Sequence, residues 1–142
     1  MKIKFYSMGS VNEQMLKFAV ISAFHKAQWV YVRHHSRQSW EIPGGRRETG
    51  EKIEEIARRE LFEETGSRIM VLSPICDYSL ENSLEKVYGR LYFANIVEMG
   101  PLPASEIEEV KLFNSPPDYL TYPEIQPKLF EKTLAFMTGS KV

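Results

Sequence analysis

Residues 53–66 read IEEIARRELFEETG, a run rich in strong helix formers that closes on a glycine able to take positive φ. The runs on both sides are β-rich, so this segment must lay an apolar face on a sheet to pack at all. On a wheel of ~100° per residue with Ile53 at zero, Ala57 falls at ~40°, Leu61 at ~80° and Ile56 at ~300°. That arc is expected to meet the sheet. Glu64 at ~20° and Glu60 at ~340° fall inside it, with Glu63 at ~280° on its edge. Phe62 falls at ~180°, so apolar contact is expected on two sides of the helix.

Charged residues are almost never fully buried unless paired. One reading is that the last turn has emerged into water, with Arg58 and Arg59 supplying local ion pairs. The other is that the carboxylates share a cation. Near a helix C-terminus the dipole is negative, which misplaces glutamates by about 0.3–1 kcal/mol each. Like charges three or four residues apart add a few tenths of a kcal/mol per pair. A divalent ion relieves both, and Mg²⁺ takes carboxylate oxygens while sharing its shell with substrate phosphates.

The rest of the chain frames this helix. IKFYSM reads as an opening strand, and KFAVISAF and WVYVRHH, separated by HKAQ, read as a hairpin. SWEIPGGRRETGE breaks regular structure at Pro43, Gly44 and Gly45. RIMVLSPICDYSL, KVYGRLYFANIVEM and EEVKLF read as strands, with the loop GPLPASE before the last. TYPE, Thr121 to Glu124, has the form of a capping box with an early proline. The helix after it carries the stripe Ile125, Leu129, Phe130, Leu134 and Met137, and Pro127 moves its regular start toward Gln126. Strands, helix, strands, helix predict a single α+β domain over residues 1–142, with helices against a mixed sheet.

Hydrophobic content of 43% and charged content of 26% are those of a soluble globular protein. The net charge of −1 argues against general affinity for nucleic acid or anionic membrane. No apolar run approaches the ~20 residues of a membrane span, and MKIKFYSMGSVNEQ turns polar too soon for a signal peptide. A cytoplasmic protein is expected. Cys76 is the only cysteine, which excludes an intrachain disulfide and a Cys-based zinc site. Within SPICDYSL it reads as a small buried hydrophobe.

From Gly45 the order is five residues, Glu51, seven residues, then Arg59-Glu60-Leu61-Phe62-Glu63-Glu64-Thr65-Gly66. This pattern resembles the Nudix box, G-x5-E-x7-R-E-U-x-E-E-x-G-U, with U a bulky aliphatic residue. Every fixed position matches except the last, which is Ser67; that change costs a packing contact rather than chemistry. The lead-in SWEIPGG resembles the family's as well. The resemblance implies the Nudix fold, a mixed sheet between helices, and Mg²⁺-dependent hydrolysis (Mn²⁺ being the alternative) of a nucleoside diphosphate linked to another moiety. It implies Glu60 and Glu64 as metal ligands, Glu63 as a further ligand or a contributor through water, and the Gly44 carbonyl as an additional ligand. Arg59 would orient the carboxylates, and Glu51 would support the loop–helix junction. PGG also reads as a plain turn, although glycine lets a backbone approach a metal or phosphate closely.

Some members of the family use a carboxylate outside the box as general base, and SEIEEV offers Glu106, Glu108 and Glu109, with Glu106 favoured. For substrate phosphates the candidates are Arg33 and His35, at the end of the strand before the box, and Arg46, with Arg47 beside it. Each also reads as ordinary surface charge. Trp40, Tyr78, Tyr88, Tyr92 and Phe93 are candidate stacking surfaces, most of them expected in the core. A MutT-like pyrophosphohydrolase is the expectation, with a plain or modified nucleoside triphosphate as substrate and the monophosphate and pyrophosphate as products. The family's ADP-ribose hydrolases often carry a proline after the box where this chain has ENSLEK. Its dinucleoside-polyphosphate hydrolases often carry a tyrosine there, which Tyr78 precedes and Tyr88 follows. Hydrolysis of ADP-ribose, of a dinucleoside polyphosphate or of a 5′-triphosphate RNA end, and a non-catalytic nucleotide sensor on the same fold, stay as alternatives. Homodimers are common among such proteins, and no residue of this sequence fixes one.

Overall fold

The computed structural model describes residues 1–139. Seven strands form one mixed sheet: β1 (Lys2–Tyr6), β2 (Leu16–His25), β3 (Gln28–His34), β4 (Gly44–Arg46), β5 (Ser67–Glu81), β6 (Lys86–Met99) and β7 (Ile107–Phe113). Their order is β1-β5-β6-β2-β3-β7, with β4 added beside β2. Among these strands only the β2–β6 pair is parallel; the others run antiparallel. Helix α1 (Ile53–Thr65) and helix α2 (Gln126–Thr138) complete the fold.

Alternation along β2 decides which helix covers which face. Ala19, Ile21 and Ala23 join Ile53, Ile56, Ala57 and Leu61 of α1 in one buried cluster. Val20 points the other way and joins Tyr78, Leu91 and Leu129 in a second cluster under α2. Ser22, also on that side, bonds to Thr133 of α2 through its hydroxyl at 2.7 Å. The sheet is therefore sandwiched between the helices, as the α+β reading requires.

The expected apolar arc of α1 is the buried one. Its start is held by Glu55, whose carboxylate accepts from the Lys52 N–H at 2.7 Å. Its end is fixed by Gly66 at φ 76°, where a Cβ would also lie 2.6 Å from the carbonyl oxygens of Gly100 and Pro101. Phe62, expected to find a second apolar contact, is exposed instead.

Three further expectations are corrected. The irregular segment after β3 contains β4, because Gly44–Arg46 pair with Phe18–Val20 of β2 where β3 has already turned away. Thr121–Glu124 do not cap α2; its N-cap is Ile125, with Pro127 in the first turn and no side-chain cap. The α2 stripe is rotated too. Gln126, Leu129 and Thr133 are buried, whereas Leu134 and Met137 are exposed. The Ser22–Thr133 hydrogen bond allows a polar residue to occupy that buried line.

Candidate active site

The pairing of β4 with β2 brings two glycines against the last turns of α1. Gly44 donates its N–H to Glu64 Oε1 at 3.3 Å. At Gly45 a Cβ would collide with the Glu60 carboxylate. Neither glycine has positive φ, so their small size is what the site uses.

Glu60 and Glu64 are one helical turn apart and share a face. Glu64 is 9% exposed and has no ion pair among the described residues. Burial, then the charge of Glu60 and a hydrogen bond with it, push its carboxyl up to about 9. Burial also raises Glu60, against the lowering effect of its bonds to Glu64 and Arg59. Glu60 thus disfavours the charged form of Glu64, and Glu41 adds further negative charge near it. The reading in which the last turn emerges into water fails at Glu64.

Arg59 is the positive centre. It grips Glu51 with two bonds, Nε to Oε2 at 2.6 Å and Nη2 to Oε1 at 3.0 Å. Its Nη1 reaches Glu60 at 2.5 Å and Glu63 at 2.9 Å, with Glu48 at 3.5 Å. Its Nη2 also donates to the Arg46 carbonyl at 3.0 Å. The bond to Glu51 is the main cause that raises the guanidinium's pKa and lowers that of Glu51. One guanidinium faces four carboxylates, so the cluster keeps an excess of negative charge. Among the described residues no three acidic, histidine or cysteine groups form a ready-made metal cage.

On the other side of β4 lies a cavity of about 640 Å³, bounded by Phe18, Glu41, Gly44, Arg46, Tyr78 and Gln126, among others.

The family model described as NUDIX domain matches residues 16–132. The chain belongs to the Nudix family. It is 35% identical to a Bacillus subtilis (strain 168) protein named "Putative 8-oxo-dGTP diphosphatase YtkD" over 72 residues, 51% of this chain and 45% of that relative. The chain therefore spans less than half the length of the curated relative it matches. Its fold is similar to that of a mutant of the Bacillus subtilis pyrophosphohydrolase BsRppH, at TM-score 0.81 and 22% identity over 94% of this chain and 90% of that one. It is also similar to the NUDIX domain of Shewanella oneidensis NrtR, solved with ADP ribose, at TM-score 0.68 and 14% identity over 90% and 94%. The fold is the Nudix fold.

Of the residues singled out in sequence, Gly44, Arg59, Glu60, Glu63 and Glu64 of the Nudix box and its lead-in converge. Arg46 lines the cavity with its guanidinium over the Phe18 ring, 4.9 Å from its centre. Arg33 and His35 lie elsewhere. Arg33 binds Glu109 at 3.2 Å and the Arg37 carbonyl at 3.1 Å, and the exposed His35 meets Glu108 at 2.7 Å. Arg33 belongs to the pairing of β3 with β7, and His35, just past β3, donates its N–H to the Glu106 carbonyl at 3.0 Å. Arg47 braces the loop, donating to the carbonyls of Glu13, Leu16 and Glu51. Glu106 is largely exposed, 3.8 Å from His34, on the loop before β7.

Two residues were missed. Glu41 holds His34 at 2.7 Å and Arg37 at 3.2 Å at the cavity wall. Its signal was a charge set between Trp40 and Ile42. Gln126 gave no signal, because a glutamine near a helix start has no marked preference. Tyr78 lines the cavity, whereas Tyr92 lies in the core under α1. Trp40 packs on Phe113, Tyr88 on Tyr6, and Phe93 between Trp29 and Phe136.

Proposed function

We propose that this chain is a divalent-cation-dependent phosphoanhydride hydrolase acting on a nucleoside triphosphate, plain or modified, and releasing the monophosphate and pyrophosphate. The observation that carries this reading is the buried Glu60–Glu64 pair set against the Gly44–Gly45 backbone, with Glu64 in no ion pair among the described residues. Such a pair is costly unless a positive group joins it, and its hard oxygen donors fit Mg²⁺ or Mn²⁺. Glu60, Glu64, Glu63 and the Gly44 carbonyl would hold the ion. When bound, it supplies charge neutralisation at phosphate oxygens and an acidified water. The diphosphatase name of the B. subtilis relative supports a nucleoside triphosphate substrate.

The protein's own part is positioning. Arg59, fixed by Glu51, holds Glu60, which lies against Gly45 of β4, and Glu63 beside it. Arg46 offers its guanidinium to the phosphate chain at the cavity edge. Water adds to phosphorus, the anhydride P–O bond breaks, and the water's proton passes to a carboxylate. Glu106 is the candidate acceptor outside the box, on the loop that leads into β7.

A hydrolysis screen with Mg²⁺ tests the reading across nucleoside triphosphates, oxidised nucleotides, ADP-ribose and dinucleoside polyphosphates, quantifying both products. Monophosphate and pyrophosphate in equal amounts from a triphosphate are expected. Nucleotide binding without turnover of any of them would favour the sensor alternative and overturn the proposal.

A further inference from the structure

A second cavity, of about 290 Å³, lies where β1 stops short of its neighbour. β1 pairs with β5 only as far as Tyr6, opposite Asp77. There the chain turns away, with the Ser10 N–H on the Ser7 carbonyl at 3.0 Å and Gly9 at φ 83°. Traced back from Cys76 to Ser67, β5 has β6 alone beside it among the described residues. The step leaves Ile75 and Cys76 with no strand on that side. Lys132 and Phe136, one turn apart on α2, form the facing wall.

Phe5, Ile75 and Phe136 give the hollow its apolar lining, and the Cys76 thiol, 8% exposed, lies in its wall. Among the described residues Lys132 is the one charged side chain that lines it. Its ammonium lies 4.9 Å from the centre of the Phe5 ring and close enough to Cys76 for its charge to act on the thiol. Lys132 is half-buried and enters no ion pair among the described residues. A ring face is a weak partner for such a cation. An anion would meet it with a charge-assisted hydrogen bond.

The chemistry of the walls narrows the choice of anion. A phosphate chain calls for several donors or a bidentate arginine, and this site offers a single ammonium. A neutral apolar molecule would fill the walls and leave the ammonium unmatched, and an amine would be repelled. The volume is at the lower limit of small-molecule sites, so the ligand is small. We propose that this step in the sheet is a second ligand site, for a small monocarboxylate with an alkyl or aryl body. Its carboxylate meets Lys132 and its body lies among Phe5, Ile75 and Phe136. The site shares no lining residue with the cavity beside β4, and it stands whatever the Nudix box hydrolyses.

The probes are octanoate, octanol and octylamine, one tail with three head groups, titrated into the whole isotope-labelled chain and followed by amide NMR shifts. Octanoate should bind about tenfold more tightly than octanol, the worth of one charge-assisted hydrogen bond, and octylamine more weakly than either. The amides that shift should be those of Tyr6, Ile75, Cys76, Lys132 and Phe136, with Glu60, Glu63 and Glu64 unmoved. Lys132→Met should bring octanoate down to the affinity of octanol, while Lys132→Arg keeps the preference. Thermal melting verifies that both variants are folded, and the wild-type head-group series decides the matter without them. No binding of octanoate at millimolar concentration overturns the proposal, as does equal affinity for octanoate and octanol. A preference that survives Lys132→Met, or shifts centred on the cavity beside β4, overturns it as well.

Discussion

Adjacent glycines in β4 should respond to the same substitution in opposite ways. A Cβ at Gly44 would stand 2.7 Å from the Ala19 carbonyl oxygen and 2.9 Å from Val20 Cγ1. Those atoms belong to the strand that β4 pairs with and to the core under α2, so neither can yield cheaply. Overpacking of that kind costs about 1–3 kcal/mol, or roughly 3–10 °C in Tm for a chain near this size. At Gly45 the obstacle is the end of one side chain, the Glu60 carboxylate. Glu60 can swing aside, and alanine restricts the unfolded chain by an offsetting ~0.4–1 kcal/mol. The net change in stability should stay within about 1 kcal/mol. Catalysis should not survive so well, because a ~1 Å displacement of a positioned group costs on the order of 10²-fold in rate. Gly44→Ala and Gly45→Ala are therefore compared by thermal melting and by Mg²⁺-dependent pyrophosphate release from the best substrate. Gly45→Ala with unchanged Tm and full turnover would refute the idea that Glu60 must lie against the β4 backbone.

Glu60→Gln and Glu64→Gln should each fold and each lose nearly all turnover, since both keep shape and remove the charge a cation needs; near-normal rates in either would remove the metal assignment. Glu106→Gln should lower turnover by at least about tenfold, toward 10²–10⁴ for a general base; if its rate is unchanged, the base is inside the box. Ser67→Val should leave kcat intact and shift stability by no more than about 1 kcal/mol in denaturant titration. It loses the 2.5 Å bond to Thr65, about 1 kcal/mol, and gains apolar burial of similar worth, while Thr65 still donates to the Leu61 carbonyl. Cys76 is a thiol pushed up to about 11 by burial, so at pH 8 only about 10⁻³ of it is thiolate. A thiol reagent should label it slowly in native protein and rapidly after unfolding. The raised value contributes stability in full below the unfolded thiol's ~8.5, and that contribution is lost as pH rises through about 11.

What was legible in sequence was whatever a period or a fixed spacing carries. The α1 arc, the positive-φ glycine that ends it and the strand runs around it depend on local geometry, and the fold has them where expected. Glu64 was legible as an anomaly, a charge inside an apolar arc. The partners that make sense of it lie across loops. Arg33 and His35 read as phosphate ligands because they precede the box, but Glu109, opposite Arg33 in the β3–β7 pairing, and Glu108 engage them. The α2 stripe went wrong for a related reason. A buried threonine is invisible to a hydrophobic count, and the Ser22 hydroxyl that satisfies it is 111 positions away. The cavity beside β4 was illegible altogether, since its wall is assembled from β2, β4, β5, β6 and the start of α2.

Three residues of β4 separate two workplaces. On the α1 side stand the carboxylates; on the α2 side stands the cavity, and Gly44 and Gly45 border both. Each helix packs its own cluster on its own face of the sheet. Under the proposed function, a substitution on α2 would reshape the cavity without moving a box side chain, and the box could stay constant while the α2 wall drifts. A scaffold partitioned in this way can change clientele by small mutational steps, each leaving the cutting machinery in working order.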